Sequence, residues 1–293
     1  MELVAIFKEM PAFFITVVGL FSLMIGSFLN VVILRLPVMM ERQWRAQCAE
    51  YLEDSQKAAT DETERFNLAA PRSRCPRCGH AITALENIPI LSYLMLRGRC
   101  SACGTHIPAR YPVVEAATAI LSMVVAWRFG VSWETAGALV LTWSLIALSV
   151  IDFDHHLLPD GITLPLLWLG LLVSLFNLFT DSHGAIIGAL AGYLSLWSVY
   201  WLFKLLTGKE GMGYGDFKLL AMLGAWLGWT YLLPIVLLSS LVGAVVGITL
   251  ILLRGRDRNI PIPFGPYLAT AGWITLLWGH DLMETYWGWM GIG

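Results

Sequence analysis

The sequence predicts an all-α polytopic membrane protein of about eight transmembrane helices, with a long polar loop between the first and the second. Three observations predict it. Hydrophobic residues make up 57% of the chain and charged residues only 14%, against about 25% charged in soluble proteins. Apolar segments recur along the chain at bilayer-crossing length, roughly 20 residues each. The polar residues are concentrated in one interval after the first apolar segment. Mean hydropathy is +0.67, and so little polar surface cannot coat a soluble globule. A net charge of −2 gives no basic surface for nucleic acid. The 13 Trp and 9 Tyr suit interfacial belts or helix packing.

Residues 11–34 form the first expected span. It is longer than a signal-peptide core, starts beside Lys8 and Glu9, and lacks a small-x-small cleavage site, so it is expected to remain. Further spans are expected at 113–129, 133–151, 162–180 and 184–206. The run from Phe217 to Leu253 is too long for one span and is expected to make two, turning near Gly228-Trp229-Thr230 and Pro234. A last span covers about 264–278.

Lys and Arg set the orientation. With the N-terminus outside, Arg35, the ten basic residues from Arg42 to Arg110, and Lys204, Lys209, Lys218, Arg254, Arg256 and Arg258 all fall inside. That is 17 of 19, leaving Lys8 and Arg128 outside. The positive-inside rule then places both termini outside and the 37–112 loop in the cytoplasm.

Within the loop, residues 38–70 are rich in Glu, Gln, Ala and Arg and read as one or two exposed helices, or as a solvated linker. Residues 71–112 hold Cys75-Pro76-Arg77-Cys78 and Cys100-Ser101-Ala102-Cys103, with 21 residues between the pairs. That spacing fits a tetrahedral four-thiolate zinc site. Gly79 and Gly104 close each knuckle, and a cytosolic location disfavours the alternative of disulfides. A module of about 40 residues also buries too little core to fold without such a staple. Cys48, His80 and His106 are expected to be bystanders.

Two aspartates stand at the edges of apolar segments. Asp152 ends the run before Phe153-Asp154-His155-His156, and Asp216 closes Gly213-Tyr214-Gly215-Asp216. A carboxylate beside a membrane span is costly and usually functional. Both fall on the cytoplasmic side by the charge pattern. Two carboxyls sharing one proton can activate water and polarise a peptide carbonyl, which points to an aspartyl protease at the membrane surface. The plain alternative is that Asp216 caps the next helix. Asp154 lies further into the turn, Asp160 reads as the N-cap of the next span, and His155 and His156 read as solvated. Lys218 either holds Asp216 charged or snorkels to the interface.

These residues resemble the type IV prepilin peptidases, bifunctional leader peptidases and N-methyltransferases of the GxGD aspartic protease family. The resemblance runs from Gly26-Ser27-Phe28-Leu29-Asn30 to Arg35-Leu36-Pro37, through both CxxC pairs and Tyr111-Pro112-Val113-Val114-Glu115. It continues through Asp152 to Leu158-Pro159-Asp160, Gly213 to Lys218, and Pro263-Phe264-Gly265-Pro266-Tyr267-Leu268. It implies that Asp152 and Asp216 are the catalytic pair, with Leu158-Pro159 at the family's distance from the first. It implies cleavage of a short basic leader from prepilins and pseudopilins on the cytoplasmic face of the bacterial inner membrane, followed by methylation with S-adenosylmethionine. The acidic residues Glu41, Glu50, Glu53, Asp54, Asp61, Glu62 and Glu64 could attract that leader, or simply solvate a helical face.

The domains then read as a first transmembrane helix (1–36), a cytoplasmic loop (37–112) with its zinc-knuckle module at 71–112, and a seven-helix membrane peptidase domain (113–293). No Rossmann motif marks a methyl-donor site. By resemblance that activity belongs to residues 26–112, and Asn30 and Glu115 are candidate cofactor contacts, with a helix-start charge as the alternative for Glu115. Two other function classes fit a multispanning chain. A transporter would show inverted repeats and midplane acids, and neither is visible. A zinc-stabilised assembly scaffold leaves the paired aspartates unexplained. Lipid and pilin substrates are the expected partners; oligomeric state is not encoded in any feature of the chain.

Overall fold

The computed structural model describes residues 2–51, 66–254 and 263–290. Among these there are helices, turns and two isolated bridges, Arg74 with Ala81 and Arg99 with His106, and no strand. The chain forms two compact units, Met1–Val131 and Ser132–Gly293.

In the first unit, α1 is Glu2–Glu9, α2 is Pro11–Tyr51, α3 is Leu91–Met95 and α4 is Arg110–Phe129. Helix α2 runs on past residue 36, the expected end of the first transmembrane helix. It has 41 residues, about 62 Å at the α-helical rise and twice a bilayer core. Pro37 sits inside it. Losing one N–H there does not end the helix, because Met, Glu, Arg, Gln and Ala dominate the next turns and favour it. Arg45 also donates to Glu41 one turn back, at 2.6 Å. Residues 52–65 of the expected 38–70 helices, with Glu53, Asp54, Asp61, Glu62 and Glu64, lie outside the described residues, as do Arg256 and Arg258, and residues 67–70 are bends rather than helix. Helix α2 packs on α4. Its buried stripe of Ser22, Gly26, Leu29, Asn30 and Ile33 recurs at helical spacing.

The second unit holds α5 (Trp133–His155), α6 (Asp160–Ser174), α7 (Ser182–Thr207), α8 (Tyr214–Leu227), α9 (Leu232–Arg254) and α10 (Gly265–Met290). Ser132 caps α5, its side chain accepting from Thr135 N, and Asp181 caps α7 by accepting from Gly184 N. Helix α8 is the centre of the unit, packed against α6, α7 and α10. From Phe217 to Leu227 every residue except Lys218 is buried, as expected of a helix that is apolar all round. Trp226 donates its indole N–H to Leu166 O at 2.8 Å, tying α8 to α6.

Helices α7 and α8 touch backbone to backbone. A Cβ at Gly188 would lie 2.2 Å from Gly224 O, so only glycine fits. Gly184, Gly188 and Gly192 recur every fourth residue along α7, the small-residue pattern of membrane helix interfaces.

Each of the eight expected apolar segments contains a helix, although 175–180 of the expected 162–180 segment are turns and bends, and the expected turn between α8 and α9 falls at Gly228, whose φ is +87°. Among the described residues, five stretches are long and apolar enough to cross a membrane: Pro11–Tyr51, Arg110–Phe129, Trp133–His155, Ser182–Thr207 and Trp229–Thr249. Helices α6 and α8, at 15 and 14 residues, are shorter than the roughly 20 residues that a span needs. The α10 segment, expected to end near 278, kinks at Trp278 and continues to Met290. Exposed Leu190 and Leu194 on α7 and Leu237 and Leu241 on α9 suit contact with lipid. The chain is a multispanning membrane protein.

The glycine contact gives a test. Gly188→Val should destabilise the protein by at least the 1–3 kcal/mol of an overpacked core, because backbone rather than a side chain stands in the way. Thermal unfolding in detergent should show a lower midpoint; an unchanged midpoint would mean that α7 and α8 do not meet at this glycine.

Candidate active site and metal centre

Asp152 lies in the last turns of α5 and is only 6% exposed, while Asp154, His155 and His156 beyond it are exposed. One carboxylate oxygen, Oδ2, accepts the N–H of Gly265 at 3.0 Å. Gly265 is the first residue of α10. N–H groups at a helix start have no partner within the helix, and the helix dipole favours an anion there. Asp152 therefore serves as the cap of a helix 113 residues away in the chain. A Cβ at residue 265 would lie 2.6 Å from that same oxygen, so the approach requires glycine.

Asp216 is in the first turn of α8 and 7% exposed. It too sits where a helix dipole favours negative charge. Leu158, in the turn after α5, joins the two carboxylate supports. A Cβ at Gly215 would lie 2.8 Å from Leu158 Cβ, and one at Gly265 would lie 3.2 Å from Leu158 Cδ2. The leucine thus packs between the starts of α8 and α10. Asp152 and Asp216 are both buried in the second unit, with Leu158 packed against Gly265 beside the one and Gly215 beside the other, while Asp154 is exposed.

Lys218 pairs with Asp160 and not with Asp216. Its ammonium donates to both carboxylate oxygens of Asp160 at 2.7 Å. Asp160 is correspondingly not the N-cap of α6. Pro159 occupies that position, and Asp160 is the first helical residue. The pair is partly exposed and worth about 0–1 kcal/mol. Its consequence is positional, since it joins the start of α8 to the start of α6, each next to one aspartate. On the other side of Asp216, Lys204 donates to Glu210 at 2.8 Å and to the Tyr200 hydroxyl at 3.2 Å. The Tyr200 ring lies 5.2 Å from that of Tyr214, which holds the loop leading into α8.

The four cysteines converge in the first unit. The two knuckles have the same backbone plan. Gly79 N donates to Cys75 O and Gly104 N to Cys100 O, each at 2.9 Å, with both glycines at positive φ, +72° and +67°. All four sulfur atoms lie within 4.8 Å of one another. The Cys75–Cys103 and Cys78–Cys100 separations are 3.9 and 4.0 Å, close to the ~3.8 Å edge of a tetrahedron with 2.3 Å zinc–sulfur bonds. The donor set fits zinc. Side-chain and backbone hydrogen bonds with Thr105 bring the Cys103 thiol down to about 6. The His80 backbone favours the Cys78 thiolate, yet desolvation and the other three cysteines push the thiol up to about 11. Cys48 is exposed on α2. His80 and His106 stay outside the cluster. His80 turns to Glu86 at 3.3 Å, and Glu86 is held down to about 2 by hydrogen bonds from Ser101 and Thr83. That carboxylate links the two knuckles.

Asn30 and Glu115 come together on the wall of a cavity of about 420 Å³ in the first unit. Asn30 donates to Tyr111 O at 3.1 Å, and Glu115 accepts the N–H of Ile90 at 2.8 Å.

Comparison with known proteins respects this division. A model described as the Bacterial Peptidase A24 N-terminal domain matches residues 20–129, and the Type IV leader peptidase family model matches residues 139–248. A prepilin leader peptidase/N-methyltransferase of Aeromonas salmonicida is 61% identical over 94% of this chain and 95% of its own length. The chain belongs to the type IV leader peptidase family. Proteins of the same description from Pseudomonas aeruginosa and Xanthomonas campestris pv. campestris are 58% and 53% identical, over 94% and 90% of this chain and 94% and 91% of theirs. No solved structure matches.

In this family member, Gly265 and the Lys218–Asp160 pair are the contacts that sequence reasoning missed. The only signal for the first is a glycine set between Pro263-Phe264 and Pro266 at the start of an apolar run.

Both the cysteine cluster and the ion pair can be tested. Cys75→Ser should remove stoichiometric zinc and lower the thermal stability of the purified protein; elemental analysis finding no zinc in the unchanged protein would refute the metal assignment. Lys218→Asp should slow leader cleavage several-fold, and adding Asp160→Lys should recover most of the loss. A reversed pair no better than the single variant would rule out an electrostatic clamp.

Proposed function

We propose that this protein removes the short basic leader from type IV prepilins and pseudopilins and then N-methylates the new N-terminal residue. Both activities appear in the description of its relatives, which match at 53–61% identity over 90–94% of the chain. The observation that carries the peptidase mechanism is the pairing of buried Asp152, set against the start of α10, with buried Asp216 in the first turn of α8.

The chemistry is that of a shared proton. In this reading the two carboxyls share one site and hold one proton between them, because a second negative charge there is disfavoured. The Gly265 N–H stabilises negative charge on Asp152, so Asp152 is the carboxylate and Asp216 the acid at the start of the cycle. Asp152 takes a proton from water as the water oxygen attacks the scissile carbonyl carbon. Asp216 gives its proton to the carbonyl oxygen. The tetrahedral species collapses when its C–N bond breaks and the leaving nitrogen takes the proton from Asp152, while Asp216 recovers its own from the hydroxyl that becomes the new carbonyl.

The reading extends to topology. Eight spans in the bacterial inner membrane put both termini in the periplasm and the aspartates and cysteine module in the cytoplasm, supported by 17 of 19 basic residues on one side. A basic leader is retained on that side by the same rule. Residues 1–36 anchor the chain, 71–112 form a zinc module held by Cys75, Cys78, Cys100 and Cys103, and 113–293 carry the peptidase helices. Zinc there is structural, since four thiolates leave no open position. Methyl transfer draws on S-adenosylmethionine.

Asp152→Asn and Asp216→Asn, made separately, should each reduce leader removal from a purified prepilin by about 10²–10⁴-fold, the contribution of a general acid or base, with unchanged unfolding temperature. Normal processing by either folded variant would overturn the mechanism.

A further inference from the structure

We propose that Glu115 is the counter-ion for the cationic methyl donor, S-adenosylmethionine, bound in the cavity of the first unit. This rests on the methyltransferase reading above and gives it a site.

A second activity needs a second site. The two aspartates lie in the unit matched by the leader peptidase model, and the cavity lies in the unit matched by the separate N-terminal domain model. At about 420 Å³ the cavity falls within the ~300–1,000 Å³ of small-molecule sites. Its lining has the usual composition of such sites. Val31, Leu34, Ile82 and Ile107 supply apolar lining for a nucleoside, and Asn30 and Glu115 stand among polar residues that include Arg35, Arg74 and Glu86.

Glu115 is the feature that selects a cation. It is only 8% exposed. Its bonding partners are the Ile90 N–H at 2.8 Å and the Ser27 side chain, both neutral. A buried carboxylate without a positive partner is costly. No ion pair joins it to a basic residue among the described residues. Arg35, in the same cavity wall, spends its guanidinium on the carbonyls of Asn67 and Pro71, at 2.8 and 2.6 Å. S-adenosylmethionine supplies what is missing, a sulfonium and an ammonium on one molecule that also carries an aromatic ring system.

The transfer balances in charge. The amine lone pair of the new N-terminus forms a bond to the methyl carbon, and the C–S bond breaks with its pair left on sulfur. The positive charge passes from sulfur to nitrogen and leaves as a proton. Glu115 takes no part in bond making; it holds the donor.

The test is donor binding by the full-length protein in detergent, measured calorimetrically with S-adenosylmethionine. Glu115→Gln keeps the size and the acceptor for Ile90 while removing the charge, and should weaken binding at least tenfold with zinc content and melting temperature unchanged. Val31→Trp fills the cavity and should abolish binding. Ultraviolet cross-linking of labelled S-adenosylmethionine to the unchanged protein, mapped by mass spectrometry, should mark peptides containing residues 27–35 or 107–115, and needs no variant to fold. Wild-type affinity in a folded Glu115→Gln, or label confined to other peptides, would overturn the proposal. If the unchanged preparation still methylates cleaved prepilin in that case, only the site is wrong; if it neither cleaves nor methylates, the functional reading fails with it.

Discussion

The second unit is organised around one constraint: two carboxylates, Asp152 and Asp216, are buried inside an apolar helical bundle. Each loses water on burial. The contact that makes this tolerable is the Gly265 N–H on Asp152. It uses a donor that any helix start leaves over, so the stabilisation needs no additional buried cation. Asp216 occupies the matching position in the first turn of α8. Helix dipoles thus offset part of what burial costs. The surrounding packing keeps the arrangement from relaxing. Leu158 fills the space against Gly215 and Gly265, and α8 is sealed by three neighbours.

The first unit solves a different problem. Its polar segment has little apolar area to bury, and its four cysteine sulfur atoms gather within 4.8 Å of one another, where a bound metal would cross-link them. Glu86 reinforces this by accepting from Ser101 of one knuckle loop and touching His80 at the end of the other. Its carboxyl, held down to about 2, stays charged at any physiological pH. A cavity of about 420 Å³ is lined by this module together with α2 and α4.

Much of this is legible in the chain. Period and length of the apolar runs reveal every long helix, because burial in lipid demands continuous hydrophobicity. Paired CxxC spacing reveals the sulfur cluster, because the knuckle is a local structure. The choice of Asp152 over Asp154 agrees with their burial. Contact between distant segments is the part that cannot be read. Nothing near Gly265 announces Asp152, and nothing in Lys218 names Asp160 as its partner over Asp216. The continuity of α2 through Pro37 is hidden because proline usually ends a helix, and here strong helix formers on its C-terminal side outweigh one lost hydrogen bond. The glycine row of α7 is visible in the chain, but its meaning emerges only with α8 lying against it.

The proposed sharing of a single proton by Asp152 and Asp216 is tested most directly by the pH dependence of kcat/KM for leader cleavage. A coupled pair gives a bell-shaped profile with two ionisations belonging to the dyad as a whole, and replacing Asp216 by Asn collapses the residual activity to a single limb. A profile with one ionisation in the unchanged enzyme, or a bell that survives in the Asn variant, would contradict it.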